Sequence, residues 1–261
     1  MKSSLTLLLI LIISHVISQP IHQKDKSLEW PIGKVINYSK SNWDGTNESL
    51  ISIYFKEGGW IESLKWHEGA NQATIIPARI DFKTGSVHHF KNIRCVDGDC
   101  NQLGEMYFDP ASTNYIINFG PIKDTISGVA EYWHSYDFDW ASLMVAFLHK
   151  GGPSDHQFMR YDFTMVDGKP GFGKIGKVFM NYEGIKQIDN RKCNLYLIDG
   201  TGLENKGGKI WFDVNENLLM GYKIELPDED SYQNVNFQFI STGKMNSKEG
   251  ESFKKSKSIA E

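Results

Sequence analysis

The sequence predicts a mainly β protein in which a curved antiparallel sheet wraps around one short apolar helix. Three observations indicate this fold class. Strand-like runs, separated by Gly, Asp-Gly and Gly-Pro turn signals, recur about every ten residues from Val35 onward. The segment over 207–226 reads as a two-stranded hairpin, and the segment over 138–149 has helical periodicity instead.

The first eighteen residues have the composition of a secretory signal peptide. Lys2 precedes the apolar run LTLLLILII, and Val16 and Ser18 occupy the small-residue positions before a cleavage site. The apolar run is too short to span a bilayer. We expect cleavage after Ser18, a secreted or periplasmic protein, and no transmembrane segment in the mature chain. An uncleaved N-terminal anchor is the alternative interpretation.

Residues 19–244 are expected to form a single β-rich domain, and the polar residues 245–261 a disordered tail. The chain carries 28 basic and 32 acidic residues, and basic residues cluster only at its C-terminus. Nucleic acid is therefore not expected as a partner, because phosphate binding requires a concentrated positive surface. Seven tryptophans and an aromatic content of 13% favour large apolar faces or stacking surfaces.

Two cysteines flank an Asp-Gly turn, and the third lies in a strand pattern. Cys95 and Cys100 enclose the sequence VDGD, which places them across a predicted hairpin and favours a local disulfide in an oxidising compartment. Cys193 is expected to be a buried, inert thiol, with a catalytic nucleophile as the alternative. A zinc site is not expected, because the sequence lacks CxxC and HxxxH spacings.

The predicted helix is the one break in the β pattern. Five apolar residues follow the i, i+3, i+4, i+7, i+8 spacing: Trp140, Leu143, Met144, Phe147 and Leu148. Asp137 or Asp139 is placed to cap its N-terminus, and Gly151 to end it in a left-handed conformation. A helix this apolar must be covered on nearly all sides, and a twisted sheet would do so.

The hairpin GGKIWFDVNENLLMGYKIEL would form one side of that cover. Residues 209–214 and 220–226 alternate between outward and inward positions, and the turn falls at 215–217, where Asn tolerates a positive φ. Ile210, Phe212, Val214, Tyr222 and Ile224 are the residues expected to face inward.

The segment over 137–240 carries a recurring pattern. Gly184 and Ile188 precede Cys193 at the start of a strand, and a K-I-W-x-D run follows, formed by Lys209, Ile210, Trp211 and Asp213. This pattern resembles the periplasmic half-barrel superfamily of the lipoprotein-localisation chaperones and their domain-of-unknown-function relatives. The resemblance implies an incomplete antiparallel barrel over helical plugs, with an apolar cavity for acyl chains or another hydrophobic ligand. This chain departs from it by having one clear helix and an additional aromatic-rich N-terminal region.

The function we expect is non-enzymatic, cofactor-free binding of a hydrophobic or amphipathic small molecule between sheet and helix. The predicted wall residues are Trp140, Met144, Phe147, Phe158, Tyr161, Trp211, Met220 and Tyr222. Ordinary core packing is the competing interpretation for each of them.

Two other functions remain open. Some proteins of the resembled architecture are cofactor-free enzymes, and His134 beside Asp137 has the arrangement of a general base oriented by a carboxylate. A hydrogen-bonded loop histidine would have the same sequence. Trp60, Glu62 and Trp66 share one face of a predicted strand and could bind carbohydrate, although a half-exposed sheet face is the alternative. Asn37 and Asn47 begin N-x-Ser sequons, whose glycosylation depends on the secretion route.

Overall fold

The computed structural model describes residues 29–257, apart from 83, 131, 167–168 and 228. Within these residues there are fifteen strands: Lys34–Ser41 (β1), Ser49–Phe55 (β2), Trp60–Trp66 (β3), Gln72–Ile80 (β4), Val87–Val96 (β5), Asp99–Asp109 (β6), Asn114–Phe119 (β7), Ile122–Ile126 (β8), Trp133–His134 (β9), His156–Val166 (β10), Lys169–Ile188 (β11), Arg191–Asp199 (β12), Gly208–Asp213 (β13), Leu219–Ile224 (β14) and Val235–Lys244 (β15). The helices are Ala141–Lys150 (α1) and Ser247–Ser256 (α2). The signal peptide predicted for 1–18 lies outside the described residues.

All fifteen strands belong to one curved, unclosed sheet, which confirms the predicted fold class. Their order is β8-β7-β6-β5-β4-β3-β2-β1-β15-β14-β13-β12-β11-β10-β9. Neighbouring strands are antiparallel except for β9 and β10. Because β1 pairs with β15, the sheet divides into an N-terminal half (β1–β8) and a C-terminal half (β9–β15), joined at its centre.

Helix α1 packs against the C-terminal half, and most of its described side chains are buried. Phe147 stacks on Phe212 of β13, with ring centroids 3.9 Å apart. The Tyr38 hydroxyl of β1 donates to the Leu219 carbonyl at 3.0 Å and also contacts the Met144 sulfur. The sheet therefore covers this helix as expected, and the dense aromatic contacts fix its position.

The ends of α1 differ from the prediction. The helix begins at Ala141 rather than 138, and neither Asp137 nor Asp139 caps it, because Asp139 is held in an ion pair with buried Lys40 at 2.9 Å. Gly151 has an extended ψ instead of a left-handed conformation (φ −58°, ψ 148°). Glycine is required there for a different reason, since a Cβ would lie only 2.4 Å from the Phe147 carbonyl oxygen.

The predicted hairpin is present as β13 and β14, which pair antiparallel. Asn217 in its turn has a φ of 52°, and the Asp213 carboxylate accepts hydrogen bonds from the backbone amides of residues 215 and 216. Ile210, Phe212, Tyr222 and Ile224 are buried, and Val214 is half-buried. The predicted disulfide between Cys95 and Cys100 is also confirmed and joins β5 to β6.

The tail expected to be disordered contains α2. Asn246 and Glu249 form a reciprocal capping box, and Phe253 packs edge-on against Trp66 with centroids 5.7 Å apart. Lys254 pairs with Glu62 at 3.0 Å. The expectation of disorder was wrong over Ser247–Ser256, because a cap and a docking face stabilise a segment whose composition is polar. Neither described helix has the length and apolarity needed to cross a bilayer.

Candidate functional site

The open side of the sheet is bridged by aromatic side chains. Phe119 of β7 lies 4.3 Å from Phe163 of β10, measured between ring centroids, and Phe90 of β5 lies 5.8 Å from the same ring. These contacts join the two halves where the strands do not pair. They also form one boundary of an apolar cavity, which we call the main cavity because its walls are the most apolar.

That cavity has a volume of about 660 Å³ and lies between the N-terminal half, β10 and the segment before α1. Its walls are mostly apolar and include Ile76, Val87, Phe90, Phe119, Ile122 and Phe163. Trp133 and Phe138 complete the wall from the segment before α1. The volume falls in the range of roughly 300–1,000 Å³ that is typical of small-molecule sites.

A few polar groups interrupt the apolar wall. Ser135 donates a hydrogen bond to Asp162 at 2.5 Å, and the Asp137 carboxylate lies 3.8 Å from Arg160. Burial raises the pKa of the Asp162 carboxyl, although the opposing charge of Arg160 and the hydrogen bond from Ser135 act to lower it. Asn92 also lines the cavity, and its buried Oδ1 has no hydrogen-bond partner among the described residues.

A second, more polar cavity of about 410 Å³ adjoins the first. Ile76, Asn92 and Asp137 line both cavities, so these residues form a shared wall. The charged residues of the second cavity also include Lys65, His67, Arg94, Asp139 and Glu229. The site therefore combines an apolar chamber with a charged one.

Four charged side chains beside the second cavity form a network. Lys40 is fully buried and pairs with Asp139 at 2.9 Å and with Glu229 at 3.3 Å, and Lys65 also pairs with Glu229. Burial alone would raise the pKa of Glu229, but the two lysines outweigh that effect and lower it. A buried pair of this kind is strongly destabilising to break, because either partner alone would remain as an unpaired charge.

The backbone before α1 is strained at the same place. Asp139 and Trp140 have φ values of 50° and 53°, and two consecutive left-handed residues other than glycine cost about 1–2 kcal/mol each. The ion pair of Asp139 with Lys40 helps to hold this conformation. Strain of this kind is common at functional sites, where the surrounding structure maintains it.

The eight wall residues named from the sequence lie elsewhere. All are buried, but none of them is among the described residues that line the main cavity. Trp140 stacks on Tyr136 and Tyr222 stacks on Phe237, as core aromatics do. Phe147 and Phe158 border a smaller cavity of about 330 Å³ beside His134. The main cavity was missed because its walls come largely from 76–138, a region whose sequence indicated only strands.

The side chains of His134 and Asp137 lie in different surroundings. The His134 ring lies 2.8 Å from the Ser142 hydroxyl and packs against Phe158. Burial lowers the pKa of His134 to about 3, so the imidazole stays neutral at ordinary pH. The Asp137 carboxylate lies at the shared wall, beside Arg160. These positions match a hydrogen-bonded structural histidine better than an acid–base pair.

The strand face proposed for carbohydrate is largely covered. Helix α2 places Phe253 against Trp66 and Lys254 against Glu62, and Lys56 also pairs with Glu62 at 2.8 Å. Trp60 is half-buried and packs against His89. Trp60 and Glu62 still line a cavity of about 720 Å³ together with Lys56, whereas Trp66 is not among its described lining residues.

Cys193 is buried, and burial, assisted by the nearby Asp213 charge, raises the pKa of its thiol to about 11. This is the inert thiol predicted from the sequence. Across the described ranges, no group of three or more His, Cys, Asp or Glu side chains is arranged to hold a metal ion.

No protein-family model matches the sequence, and no curated protein matches it. Distantly similar solved structures include a β-barrel-like protein of a domain of unknown function from Brucella abortus, with 8% identity, a TM-score of 0.46, and coverage of 82% of this chain and 98% of that chain. The hypothetical lipoprotein YmcC from Escherichia coli has 10% identity, a TM-score of 0.37, and coverage of 80% and 88%. A domain from Vibrio parahaemolyticus described as an outer-membrane lipoprotein-sorting protein has 9% identity, a TM-score of 0.27, and coverage of 85% and 92%.

Proposed function

We propose that this is an exported, non-enzymatic binding protein that holds a hydrophobic or amphipathic small molecule in its main cavity. The observation that carries the proposal is the apolar chamber of about 660 Å³ beneath the N-terminal half of the sheet. A chamber of this size with walls of phenylalanine, isoleucine and tryptophan suits an apolar ligand better than water.

The cysteines support export. The disulfide between Cys95 and Cys100 suits an oxidising compartment, because cytosolic thiols are kept reduced. The predicted signal peptide leads to the same conclusion by a separate route.

The state of the possible catalytic groups favours binding over chemistry. His134 is buried and neutral, and the Cys193 thiol has a raised pKa that keeps it protonated. A general base requires a pKa near the working pH, and a cysteine nucleophile requires the thiolate. Neither residue lines the main cavity in the described part of the chain.

The first experiment is native mass spectrometry of the mature protein purified from its own secretion route, followed by organic extraction. We expect a stoichiometric, lipid-like molecule that dissociates on denaturation. As a second readout, an apolar fluorescent probe should bind the protein from which the bound molecule has been removed. Adding the extracted molecule back should then displace the probe.

A cavity-filling variant tests the location. Thr164 is exposed on β10 at the edge of the main cavity, and Thr164→Trp should occupy part of the chamber. Thr242→Trp on β15 is the matched control, since Thr242 is also an exposed strand threonine and lies outside the described cavity wall. Probe binding should fall in the first variant only. Equal binding by both, or no binding by the unmodified protein, would refute the proposal.

A further inference from the structure

Resting on the proposed function, we propose that the ligand is an amphiphile with a protonated amine at its polar end, held at the wall that the two cavities share. The apolar body of this molecule occupies the main cavity. Its ammonium group lies against Asn92 and Asp137, the two polar residues that line both cavities.

The charge of the main cavity selects for a cation. Among the described residues that line it, Asp137 and Asp230 are the charged ones, and both are acidic. The apolar walls lower the local dielectric, so a carboxylate there acts on a ligand more strongly than it would in water. An anionic head group would meet repulsion from both residues, whereas a cation would be attracted.

Arg160 contacts two carboxylates beside the main cavity. Its Nε donates to Asp162, its Nη1 donates to the Gly202 carbonyl at 3.0 Å, and its Nη2 lies 3.8 Å from Asp137. One guanidinium thus serves two carboxylates, and the longer of the two ion pairs is the one with Asp137. Asp230 adds a further carboxylate to the lining of the main cavity.

Asn92 adds a requirement for a hydrogen-bond donor. Its buried Oδ1 has no partner among the described residues, and leaving a buried acceptor unsatisfied costs about 1–3 kcal/mol. An ammonium carries three N–H donors and can donate to the amide oxygen and to a carboxylate at once. A carboxylate head group has no proton to donate to this oxygen.

The cations of the second cavity do not favour an anion instead. Lys65 already pairs with Glu229, which also pairs with Lys40. Arg94 is exposed and donates to the Gln72 side chain at 2.8 Å. An anionic head group would have to compete with these existing partners.

The test uses three probes with the same chain and different head groups: dodecylamine, dodecanol and dodecanoate. Each is titrated below its critical micelle concentration at neutral pH into delipidated protein, with calorimetric detection. We expect dodecylamine to bind about tenfold more tightly than dodecanoate, with dodecanol between them, because one favourable charge contact corresponds to about that factor.

Two variants locate the head group. Asp137→Asn should remove most of the preference for the amine and leave dodecanol affinity unchanged, whereas the exposed Asp99→Asn makes the same charge change away from both cavities and should have no effect. Asn92→Val should weaken both donor-bearing probes without loss of stability.

The outcomes separate the two proposals. The amine assignment is wrong if dodecanoate binds as tightly as dodecylamine, or if the Asp137→Asn variant keeps the preference for the amine. In either case, binding of dodecanol would still support an apolar site. If none of the three probes binds the delipidated protein, the binding function itself is refuted.

Discussion

The two halves of the sheet differ in what they enclose. The C-terminal half closes directly on α1, and its aromatics are in contact: Phe147 on Phe212 at 3.9 Å, and Tyr222 on Phe237 at 4.7 Å. The N-terminal half meets β10 through a few phenylalanines and leaves a chamber of about 660 Å³. Apolar residues are abundant in both halves. An apolar side chain in the sequence therefore indicates a residue that avoids water. It does not indicate whether that residue fills a core or lines a cavity.

The position of the helices accounts for this difference. Helix α1 fills the concave space beneath the C-terminal half, whereas α2 packs on the face of β3 that carries Glu62 and Trp66. In the main cavity, the described residues of β4–β8 face Trp133 and Phe138 of the segment before α1 and Phe163 of β10. A curved sheet without a helix inside it keeps an open volume.

The largest expected effect comes from emptying the packed half. Phe212→Ala should lower the free energy of unfolding by about 3–5 kcal/mol, because it removes a fully buried ring and leaves a cavity against Phe147. Phe163→Ala should cost clearly less, since Phe163 is half-buried and already borders a chamber. Urea unfolding of both variants measures the contrast, and equal losses would contradict the distinction between the halves.

The second-largest expected effect is a pH dependence of the free energy of unfolding, which arises from His134 in the C-terminal half. Because the pKa of His134 is about 3 in the folded protein and 6.5 in the unfolded chain, the unfolded state binds more protons between these values. This residue's contribution to stability is therefore complete above pH 6.5 and is lost as the pH falls toward 3.

His134→Gln tests this contribution. The variant should be less stable than the parent at neutral pH, and the gap should shrink by a few kcal/mol on acidification, since one pKa unit corresponds to about 1.4 kcal/mol. Urea unfolding at a series of pH values measures the gap. A gap that stays constant from pH 7 to 4 would show that His134 does not titrate in this way.

A smaller effect is expected on the outer face of the N-terminal half. Phe253→Ala should release α2 from Trp66 and shift tryptophan emission to longer wavelength, with a loss of about 1 kcal/mol, because one partly exposed contact is removed. Lys248→Ala on the exposed side of α2 is the control and should leave the spectrum unchanged. Polysaccharide binding that appears only in Phe253→Ala would revive the carbohydrate interpretation of Trp60, Glu62 and Trp66.

The smallest effect compares one asparagine from each half. Asn92→Val should change stability by less than about 0.5 kcal/mol or increase it, because it removes a buried acceptor that has no partner. Asn194→Val in β12 should cost about 1 kcal/mol, because Asn194 is buried and accepts a hydrogen bond from Tyr182 at 3.4 Å. Thermal unfolding of the two variants measures this difference. A large loss of stability in Asn92→Val would mean that the Asn92 side chain has a hydrogen-bond partner in the folded protein.

Much of the fold could be predicted because its signals are local. Alternation over 209–214 and 220–226 predicted a hairpin, and the spacing of Trp140, Met144 and Phe147 predicted a helix. The Asp-Gly turn between Cys95 and Cys100 predicted a disulfide across two paired strands. In each case the periodicity or the turn chemistry acts over a few residues, so neighbouring sequence is sufficient.

The candidate site could not be predicted in the same way. Its walls bring together residues as far apart as Ile76 and Phe163, and they meet only because β1 pairs with β15 and the long sheet curves back on itself. Asp139 was a reasonable helix cap by sequence, yet it pairs with Lys40, which is 99 residues away. The order of α2 likewise depends on Trp66 and Glu62 of β3.

The sequence by itself therefore determined the elements, their amphipathic faces and the local disulfide, since these follow from side-chain periodicity and turn geometry. Only the tertiary structure decided which faces meet tightly, which leave a chamber, and which charges become partners. The physical reason is that packing and ion pairing depend on the register and curvature of strands that are distant in the chain, and no short stretch of sequence specifies either.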